Sequence, residues 1–360
     1  MRAIEEPMTN ANSSTIDFAL PRPPAIPGLL LRGPVGPRDY RPIADVYAAA
    51  ALADGLDEVV TEADIANFIE NPVFKDPAED ILLAEIHGRV VAYMWIGHRL
   101  EAAGDEIHLH RGYVHPEWRR RGLGRTLLGH AFRRAEARRL APEGAAHRLL
   151  QTFQLESETG GHALVQDAGY QAIRYAFKMR RSLTTPIPPL ALPDGIEVRP
   201  ALPEHRRRIW EAEREAFQDH WGYSPWPEEA YEGFLQFPHY DLGLWQVAWS
   251  GDQIVGSVLS FINDAENESY GRRRGYTEDI SVRRPWRRRG IASALIARSL
   301  EALKERGMTE AALGVDAENR TGALRVYERL GFAVDKQWTF YRRPLPSSVD
   351  GAHPAEAARA

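Results

Sequence analysis

The chain repeats one short arginine-rich stretch, and this repeat limits the folds that it can adopt. Residues 114–124 read VHPEWRRRGLG and residues 283–292 read RRPWRRRGIA, so WRRRG occurs in both. Aligning Gly122 with Gly290 gives an offset of 290 − 122 = 168 residues. A period this long does not fit a solenoid and indicates a duplicated domain. We therefore expect one fold built twice within 360 residues.

The hydrophobic patterns around the two stretches follow the same order in each half. A strand and a helix come first, then two strands joined by a tight turn, a strand that enters the arginine loop, and a long helix that leaves it. The predicted segments are 29–33, 39–54, 81–97 and 122–140 in the first half, and 196–200, 203–217, 244–262, 276–282, 290–307, 311–316 and 318–332 in the second. The buried face predicted for the second long helix consists of Leu295, Ile296, Leu300 and Leu303.

A proline-rich segment separates the halves. Residues 182–195, SLTTPIPPLALPDG, suit a semi-rigid spacer better than either core. Because 44% of the residues are hydrophobic, each half can bury a core of its own. We predict an α/β fold with a mixed sheet in two tandem domains. The predicted division is a flexible tail at 1–28, an N-terminal domain at 29–183, a linker at 184–194, a C-terminal domain at 195–345 and a second tail at 346–360.

Composition argues against several functional classes. The net charge is 45 − 50 = −5, so the chain is a poor bulk nucleic-acid binder and its arginines must act locally. It contains no cysteine, which excludes disulfides, thiolate metal sites and a cysteine nucleophile. No apolar run approaches the roughly 18 residues that span a bilayer. We therefore expect a cytoplasmic protein with neither a nucleic-acid nor a membrane partner.

The position of the arginine loop between a strand and a helix suggests its chemistry. The first N–H groups of a helix have no partner inside the helix, and the helix dipole places partial positive charge there. Gly290 and Ala292 leave room for an anion to approach these groups, and arginines add charged hydrogen bonds. The loop lacks the GK[ST] ending of the nucleoside triphosphatases and a complete GxGxxG. The pattern favours a pyrophosphate cradle.

Two other interpretations of WRRRG stay open at this point. The stretch fits a solvated basic helix start, because charge runs usually lie at the surface. It also fits a nucleic-acid patch, which would bind a duplex with steep salt dependence. Two copies in equivalent settings favour the cradle over both.

The loop and its surroundings resemble those of the GNAT superfamily of N-acetyltransferases. In the second half the acyl-CoA-binding motif is Arg287-x-x-Gly290-x-Ala292, preceded by EDISV, and ALRVYERLGF follows Asn319. In the first half the loop is Arg119-x-x-Gly122-x-Gly124. The resemblance implies a mixed sheet in which two central parallel strands splay apart. It also implies direct transfer of an acetyl group from acetyl-CoA, a cosubstrate, to an amine. The cofactor-binding residues that it implies are Ile280, Ser281, Val282, Arg287, Arg288, Arg289, Gly290, Ile291, Ala292, Asn319, Arg119, Gly122 and Gly124.

Catalytic roles follow for three residues of the second half. An amine must lose a proton before it attacks a thioester, and Glu278 is the candidate base, with Asp279 second. Alternation would turn Glu278 toward the core unless a β-bulge breaks the parity; the other interpretation is an acid pair on a solvated strand. The resemblance assigns oxyanion stabilisation to an N–H near Ser281 or Val282 and places Tyr327 as the acid for the thiolate. Tyr327 also fits a core position, and Asn319 also fits a helix N-cap.

The first half departs from this pattern. The offset of 168 puts His110 at the place of Glu278 and Arg111 at that of Asp279, and Val165 takes the place of Tyr327. This half keeps the loop and loses the acids and the tyrosine. We expect a degenerate domain, with catalysis in the second half, although His110 remains a candidate base.

The acceptor site is expected near residues 217–226, FQDHWGYSPW. The candidate substrate-binding residues are His220, Trp221, Tyr223 and Trp226, which either wall a pocket for a small amine or pack the two domains together. We expect no metal, because His108 and His110 form an isolated pair that is interpreted as a surface feature. The leading hypothesis is an N-acetyltransferase for small primary amines. The alternative is a non-catalytic acyl-CoA-binding or sensing protein.

Overall fold

The computed structural model describes residues 23–140, 147–319 and 322–346. The predicted tails at 1–28 and 346–360 therefore lie largely outside the described residues. Residues 23–28 are described, and Ile26 packs against the core of the first half. No helix in the described ranges is long and apolar enough to cross a membrane.

The described residues form a mixed α/β fold, as predicted. The first half contains β1 (Leu29–Arg32), α1 (Tyr40–Asp54), α2 (Glu62–Glu70), α3 (Pro77–Asp80), β2 (Ile81–Ile86), β3 (Arg89–Leu100), β4 (Glu106–Val114), α4 (Leu123–Ala137), β5 (Arg148–Leu155), α5 (Thr159–Asp167) and β6 (Gln171–Ser182). The second half contains β7 (Glu197–Arg199), α6 (Arg206–Ala216), α7 (Glu229–Leu235), β8 (Gln246–Ser250), β9 (Gln253–Ile262), α8 (Asp264–Ser269), β10 (Arg274–Val282), α9 (Ile291–Glu305), β11 (Glu310–Asp316), α10 (Ala323–Arg329) and β12 (Ala333–Pro344).

The strands join into a single sheet that crosses the boundary between the halves. Its order is β1-β2-β3-β4-β5-β12-β6-β11-β10-β9-β8-β7. The last strand of each half is exchanged: β12 lies between β5 and β6, and β6 pairs with β11. Residues 184–194, all of which are described, form neither helix nor strand. The sequence predicted two tandem units, and the exchange shows that each is completed by a strand from the other.

The two long helices fold as their patterns predicted. The four residues Leu295, Ile296, Leu300 and Leu303 are all 0% exposed and form part of the core of the second half. Gly307 follows the end of α9 with φ +82°, the left-handed conformation typical of a residue that ends a helix. The short helices α2, α3, α7 and α8 were not predicted, because each is too brief to show a helical period.

The two central strands of each half separate as the resemblance implied. β10 pairs with β11 only from Arg274 to Tyr276, although β10 continues to Val282. β4 likewise pairs with β5 only from Glu106 to Leu109 and continues to Val114. Both gaps leave one edge of β4 and of β10 unpaired near the arginine loops. Such an edge presents backbone N–H and C=O groups that a bound molecule can use.

Candidate functional site

The two arginine loops have the same geometry. The Nε of Arg119 donates to the carbonyl of Val114, and that of Arg287 donates to the carbonyl of Val282. Both guanidinium groups then bind an aspartate at or just after the end of the first helix of the same half, α1 or α6: Asp54 for Arg119 and Asp219 for Arg287. These side chains therefore hold the loop against the fold. The first arginine of each WRRRG is engaged by the protein itself.

The other loop residues are placed to receive an anion. Arg288 and Arg289 are exposed, and Arg289 lies over the ring of Trp286, 4.9 Å from its centroid. Gly290 is the N-cap of α9 with φ +84°, and no described atom lies within 4 Å of the position that a Cβ would take. The amide of Ala294 is the first to bond within the helix, to the carbonyl of Gly290 at 3.1 Å. The amides of Ile291 and Ala292 thus lie in the first turn, where a helix does not satisfy them.

The first-half loop is partly covered. Gly122 has φ +88°, but a Cβ there would lie 3.3 Å from a carbon of Pro24. A Cβ on Gly124 would lie 3.1 Å from Leu164 of α5. Less room therefore surrounds Gly122 than surrounds Gly290.

A cavity of about 340 Å³ lies between β10 and β11 in the second half. Glu278, Asp279 and Ile280 line it from β10, and Tyr327 lines it from α10. The structure thus brings together the three acid and base candidates that the sequence placed in different segments.

A β-bulge turns Glu278 into this cavity. The pairing of β9 with β10 shifts register between Glu278 and Ser281, and Asp279 has φ +47°. Aspartate tolerates this left-handed conformation better than most residues. The condition under which Glu278 turns out of the core, a bulge in this strand, is therefore met. In the first half, β3 and β4 pair in unbroken register from Ala92–Val114 to Leu100–Glu106.

The surroundings of Glu278 favour its neutral form near pH 7. Burial, and then the charge of Asp279, raise the pKa of Glu278 to about 8. The amide of Gly314 donates to its Oε1 at 2.9 Å across the gap between the strands. A carboxyl group with a pKa near the working pH suits a general base.

The side chains of Asp279 and Ser281 are hydrogen-bonded by residues that the sequence analysis did not single out. Tyr240 donates to Asp279 Oδ2 at 2.6 Å. The hydroxyl of Ser257 bonds the hydroxyl of Ser281 at 2.9 Å and donates to the buried Glu213 at 3.0 Å. Burial raises the pKa of Glu213 well above its usual range. A glutamate within the polar helix α6 gives no sequence signal of this contact, because its partners come from β9 and β10.

Tyr327 and Asn319 lie on the cavity as expected. Tyr327 is 6% exposed, and burial, followed by the nearby Glu278, raises the pKa of its hydroxyl. The group therefore stays protonated at neutral pH, as an acid must. The N-cap of α10 is Gly322, three residues after Asn319, so Asn319 does not cap this helix.

The four aromatic candidates for the acceptor site divide into two pairs. His220 and Trp221 line the cavity, and Trp221 packs edge-on against Phe340 of β12. Tyr223 and Trp226 lie outside the cavity lining. The carbonyl of Tyr223 accepts from the amide of Ala102 in the first half, and Trp226 packs against Trp210 and Phe217. Neither residue lines the cavity, and Trp226 takes the packing role that was left open, so their part in an acceptor site stays a prediction.

The strand exchange adds first-half residues to this cavity. Arg174, Tyr175 and Ala176 of β6 line it opposite β10. Arg174 binds Asp316 at 2.6 Å and lies over Trp221, 5.0 Å from the ring centroid. These residues were missed because their position depends on strand pairing between the halves.

The first half also has a cavity at its arginine loop, of about 440 Å³ and lined by His110, Gly122 and Val165, but its chemistry differs. Arg111 is 3% exposed and binds Glu158 at 2.7 Å, and the guanidinium also lies over Tyr113 and Phe153. His110 bonds the hydroxyl of Tyr170 at 2.7 Å, and burial lowers its pKa to about 3. Such a weakly basic, engaged imidazole does not suit a general base.

The interpretation of His108 and His110 as surface residues was wrong. They are 0% and 2% exposed. His108 bonds His98 of β3 at 2.7 Å and Glu106 at 2.8 Å. Because His98 comes from a neighbouring strand, the spacing of the pair did not reveal these partners.

Comparison with known proteins identifies the family. The model of the acetyltransferase (GNAT) family matches residues 44–155 and 206–332. A mycothiol acetyltransferase of Salinispora tropica is 30% identical over 81% of this chain and 90% of its own length. One from Geodermatophilus obscurus is 28% identical, over 84% of this chain and 94% of its length.

Solved structures agree with this result. A GCN5-related N-acetyltransferase from Sphaerobacter thermophilus has a TM-score of 0.64 and 30% identity, covering 89% of this chain and 96% of its own. A tandem GNAT protein from the clavulanic acid biosynthesis pathway has a TM-score of 0.62 at 17% identity, over 89% and 99%, which supports the fold alone. With a family match in each half, together more than half of its length, this chain belongs to the GNAT family as a tandem, acetyl-CoA-dependent N-acetyltransferase.

Proposed function

We propose that the protein transfers an acetyl group from acetyl-CoA to the primary amine of a small molecule at the cavity of the second half. The observation that carries this proposal is the shared lining of one cavity by Glu278, Tyr327 and Asn319 beside the gap between β10 and β11. The first half lacks this combination, because His110 and Val165 line its cavity where the second half has Glu278 and Tyr327. Relatives named mycothiol acetyltransferase support a small-molecule acceptor.

Each residue has a chemical role in this proposal. Glu278 takes a proton from the amine, directly or through a water molecule, and the amine then attacks the thioester carbonyl. The unpaired edge of β10 offers a backbone N–H near Ser281 or Val282 to the developing oxyanion. Tyr327 gives a proton to the departing thiolate. The first turn of α9, with Arg288 and Arg289, binds the pyrophosphate of the acetyl donor.

The acidic residues of the cavity favour a cationic acceptor. Glu278, Asp279 and Asp316 line it, whereas Arg174 is already bound to Asp316. Because Glu278 favours its neutral form near pH 7 and Arg174 offsets Asp316, Asp279 is the carboxyl group of this wall that can attract a protonated amine. The amine is deprotonated by Glu278 in its ionised form, which gains population as the pH approaches 8. His220 and Trp221 stand beside it, so we assign them to acceptor binding.

A Tyr327→Phe variant tests the assignment of the chemistry. We expect kcat to fall by about 10²-fold, because general-acid catalysis contributes 10²–10⁴, while the KM for acetyl-CoA stays within about twofold. The assay offers primary amines, among them the acceptor of mycothiol acetyltransferases, and detects acetylated product by mass spectrometry. The matched control is Tyr170→Phe, which removes a buried hydroxyl from the first half and should leave kcat unchanged. Equal activity of Tyr327→Phe and the native chain would exclude Tyr327 as the acid.

A further inference from the structure

A second groove lies where the two halves meet, apart from the cavity of Glu278. It has a volume of about 480 Å³ and shares no lining residue with that cavity or with the cavity of the first-half loop. α2 and segment 71–75 form one wall, the Trp95 face of β3 forms the floor, and α7 with Phe237 closes the other side. We call this the interhalf groove, and its defining residues are Phe68, Lys75, Trp95, Gly97, Arg99 and Phe237.

Lys75 carries a charge into this largely apolar space. Its ammonium lies over the ring of Phe68, 3.8 Å from the centroid, and it forms no ion pair with any carboxylate in the described ranges. Burial lowers the pKa of Lys75 to about 8, with the charge of Asp80 opposing this effect. Burying a cation against an apolar wall without a counter-ion costs free energy. A bound anion would offset this cost with a charge-assisted hydrogen bond.

Arg99 adds a second cation whose hydrogen bonding is incomplete. Its Nε is buried and has no hydrogen-bond partner among the described residues, and its Nη2 lies 3.6 Å from Glu101. The carboxylate on the groove wall, Asp64, is already bound by His239 and by Thr61. The groove therefore has two cations and one carboxylate that is engaged elsewhere.

The backbone before Lys75 is strained, which points to a role for this segment. Phe74 has φ +61°, a left-handed conformation that bulky residues rarely adopt, and its carbonyl accepts from the amide of His98 at 2.6 Å. Strain of this kind is retained mainly where it places a functional group. Opposite, Gly97 leaves the floor open, because a Cβ there would meet its nearest neighbour at an ordinary 3.6 Å. The backbone does not require glycine at this position.

We propose that the interhalf groove binds a small carboxylate with an apolar body. The carboxylate lies against Lys75 and Arg99, and the apolar part lies against Trp95 and Phe237. Charge selects the ligand, since an amine would meet two cations, whereas a neutral molecule would leave Lys75 without a counter-ion and the Nε of Arg99 without an anionic acceptor. The site is distinct from the sites of the acetyl donor and of the acceptor amine.

Calorimetric titration of the full chain tests this proposal. Saturating acetyl-CoA is present, so that the arginine loops are occupied, and the probes are 3-phenylpropanoate, hexanoate and the neutral 3-phenylpropanamide. We expect at least one carboxylate to bind about tenfold or more tightly than the amide, the difference that one charge-assisted hydrogen bond supplies.

Two variants locate the binding in the groove. Lys75→Met keeps a long apolar side chain without the charge, and Gly97→Leu fills the floor without changing any charge. Each should weaken carboxylate binding by about tenfold, whereas the exposed Lys304→Met should bind as the native chain does. Lys75 has no counter-ion in the described ranges and loses only its contact with Phe68, so its replacement by the similarly long Met is expected to leave the thermal midpoint nearly unchanged.

Three results would overturn the proposal. One is the absence of binding by both carboxylates up to about 10 mM, which is weaker than any useful site. Another is equal affinity for the amide, which would show an apolar pocket without charge selection. The third is binding that survives both Lys75→Met and Gly97→Leu, which would place the probe elsewhere on the protein.

Discussion

Glu278 meets two opposing requirements, one for catalysis and one for stability. A base must accept a proton and is therefore kept in an environment that disfavours its ionised form. That environment is supplied by burial and by Asp279, which raise the pKa of Glu278 to about 8. Ionising this group in the folded protein costs free energy that the unfolded chain does not spend. Replacing Glu278 by a residue that cannot ionise should therefore lower kcat and raise the stability of the folded protein.

We expect Glu278→Gln to lower kcat by 10²-fold or more, because general-base catalysis contributes 10²–10⁴. In the native enzyme kcat should rise with pH through about 8, as Glu278 ionises, and level off above. The variant should lose this limb in a stopped assay across pH 6 to pH 10. If the rise of kcat with pH is unchanged in the variant, it reflects ionisation of the acceptor amine. Asp279→Asn then tests the second candidate base.

The stability effect has a definite sign. Between its usual value of 4.5 and the folded value of about 8, Glu278 holds a proton in the folded protein that it loses on unfolding. Stability therefore falls as pH rises through this window. Glutamine cannot ionise, so Glu278→Gln should raise the free energy of unfolding by about 1–3 kcal/mol at pH 8.5 and by much less at pH 5. Denaturant titration at the two pH values measures the difference.

At the scale of elements, the two strand–loop–helix units are copies with different amounts of room at the glycine. Gly290 faces open space, whereas Gly122 lies against Pro24. Both loops are tied down by their first arginine and continue into helices of 15 residues. Because the first arginine is engaged by the protein, we expect the pyrophosphate to be bound by the amides of the first helical turn and by the exposed arginines.

Gly290→Asp should therefore weaken acetyl-CoA binding in the second half. The variant puts a negative charge at the helix N-terminus, where we place the pyrophosphate, and we expect the KM for acetyl-CoA to rise by about 10²-fold, from the loss of a strong charged contact. Gly290→Ala adds the backbone strain of φ +84° without the charge and should have a much smaller effect. Gly122→Asp is the matched control and should leave turnover within about twofold. Native mass spectrometry counts the acetyl-CoA molecules retained; equal effects of the two aspartates on turnover would contradict the assignment to the second half.

The arginine loops were predictable because their signal is local and occurs twice. WRRRG, the glycine after it and the flanking periodicity lie within about 20 residues. The bulge at Asp279 was not predictable in this way, because alternation alone turns Glu278 toward the core and the sequence only names a bulge as the exception. Likewise, Arg174 and the partners of His108 are brought together by strand pairing, which hydrophobic periodicity does not record. Aromatic residues in loops could not be told apart for the same reason: Trp221 reaches the cavity and Trp226 packs on α6, although they are five residues apart.

At the scale of the whole molecule, the exchange of β6 and β12 makes the halves dependent on each other. β6 has backbone pairs with both β11 and β12, and β12 has pairs with both β5 and β6. β6 also carries Arg174, Tyr175 and Ala176 into the proposed active site. Under the proposed function, the first half therefore contributes to the site of the second half even though it lacks counterparts of Glu278 and Tyr327.

Cutting the linker should leave the two halves together. Leu190 and Ala191 are exposed in a segment without helix or strand, so a protease recognition sequence inserted between them is accessible. After cleavage, each fragment retains a strand paired within the other half of the sheet, and separation would break the ladders β5–β12 and β6–β11. We expect the cut protein to elute from a sizing column as one species, at the volume of the uncut protein, and to keep its acetyltransferase activity. Denaturation should release two fragments, which confirms that the cut is complete. If the fragments separate in native buffer, each half closes its own sheet, and the contribution of β6 to the active site is not permanent.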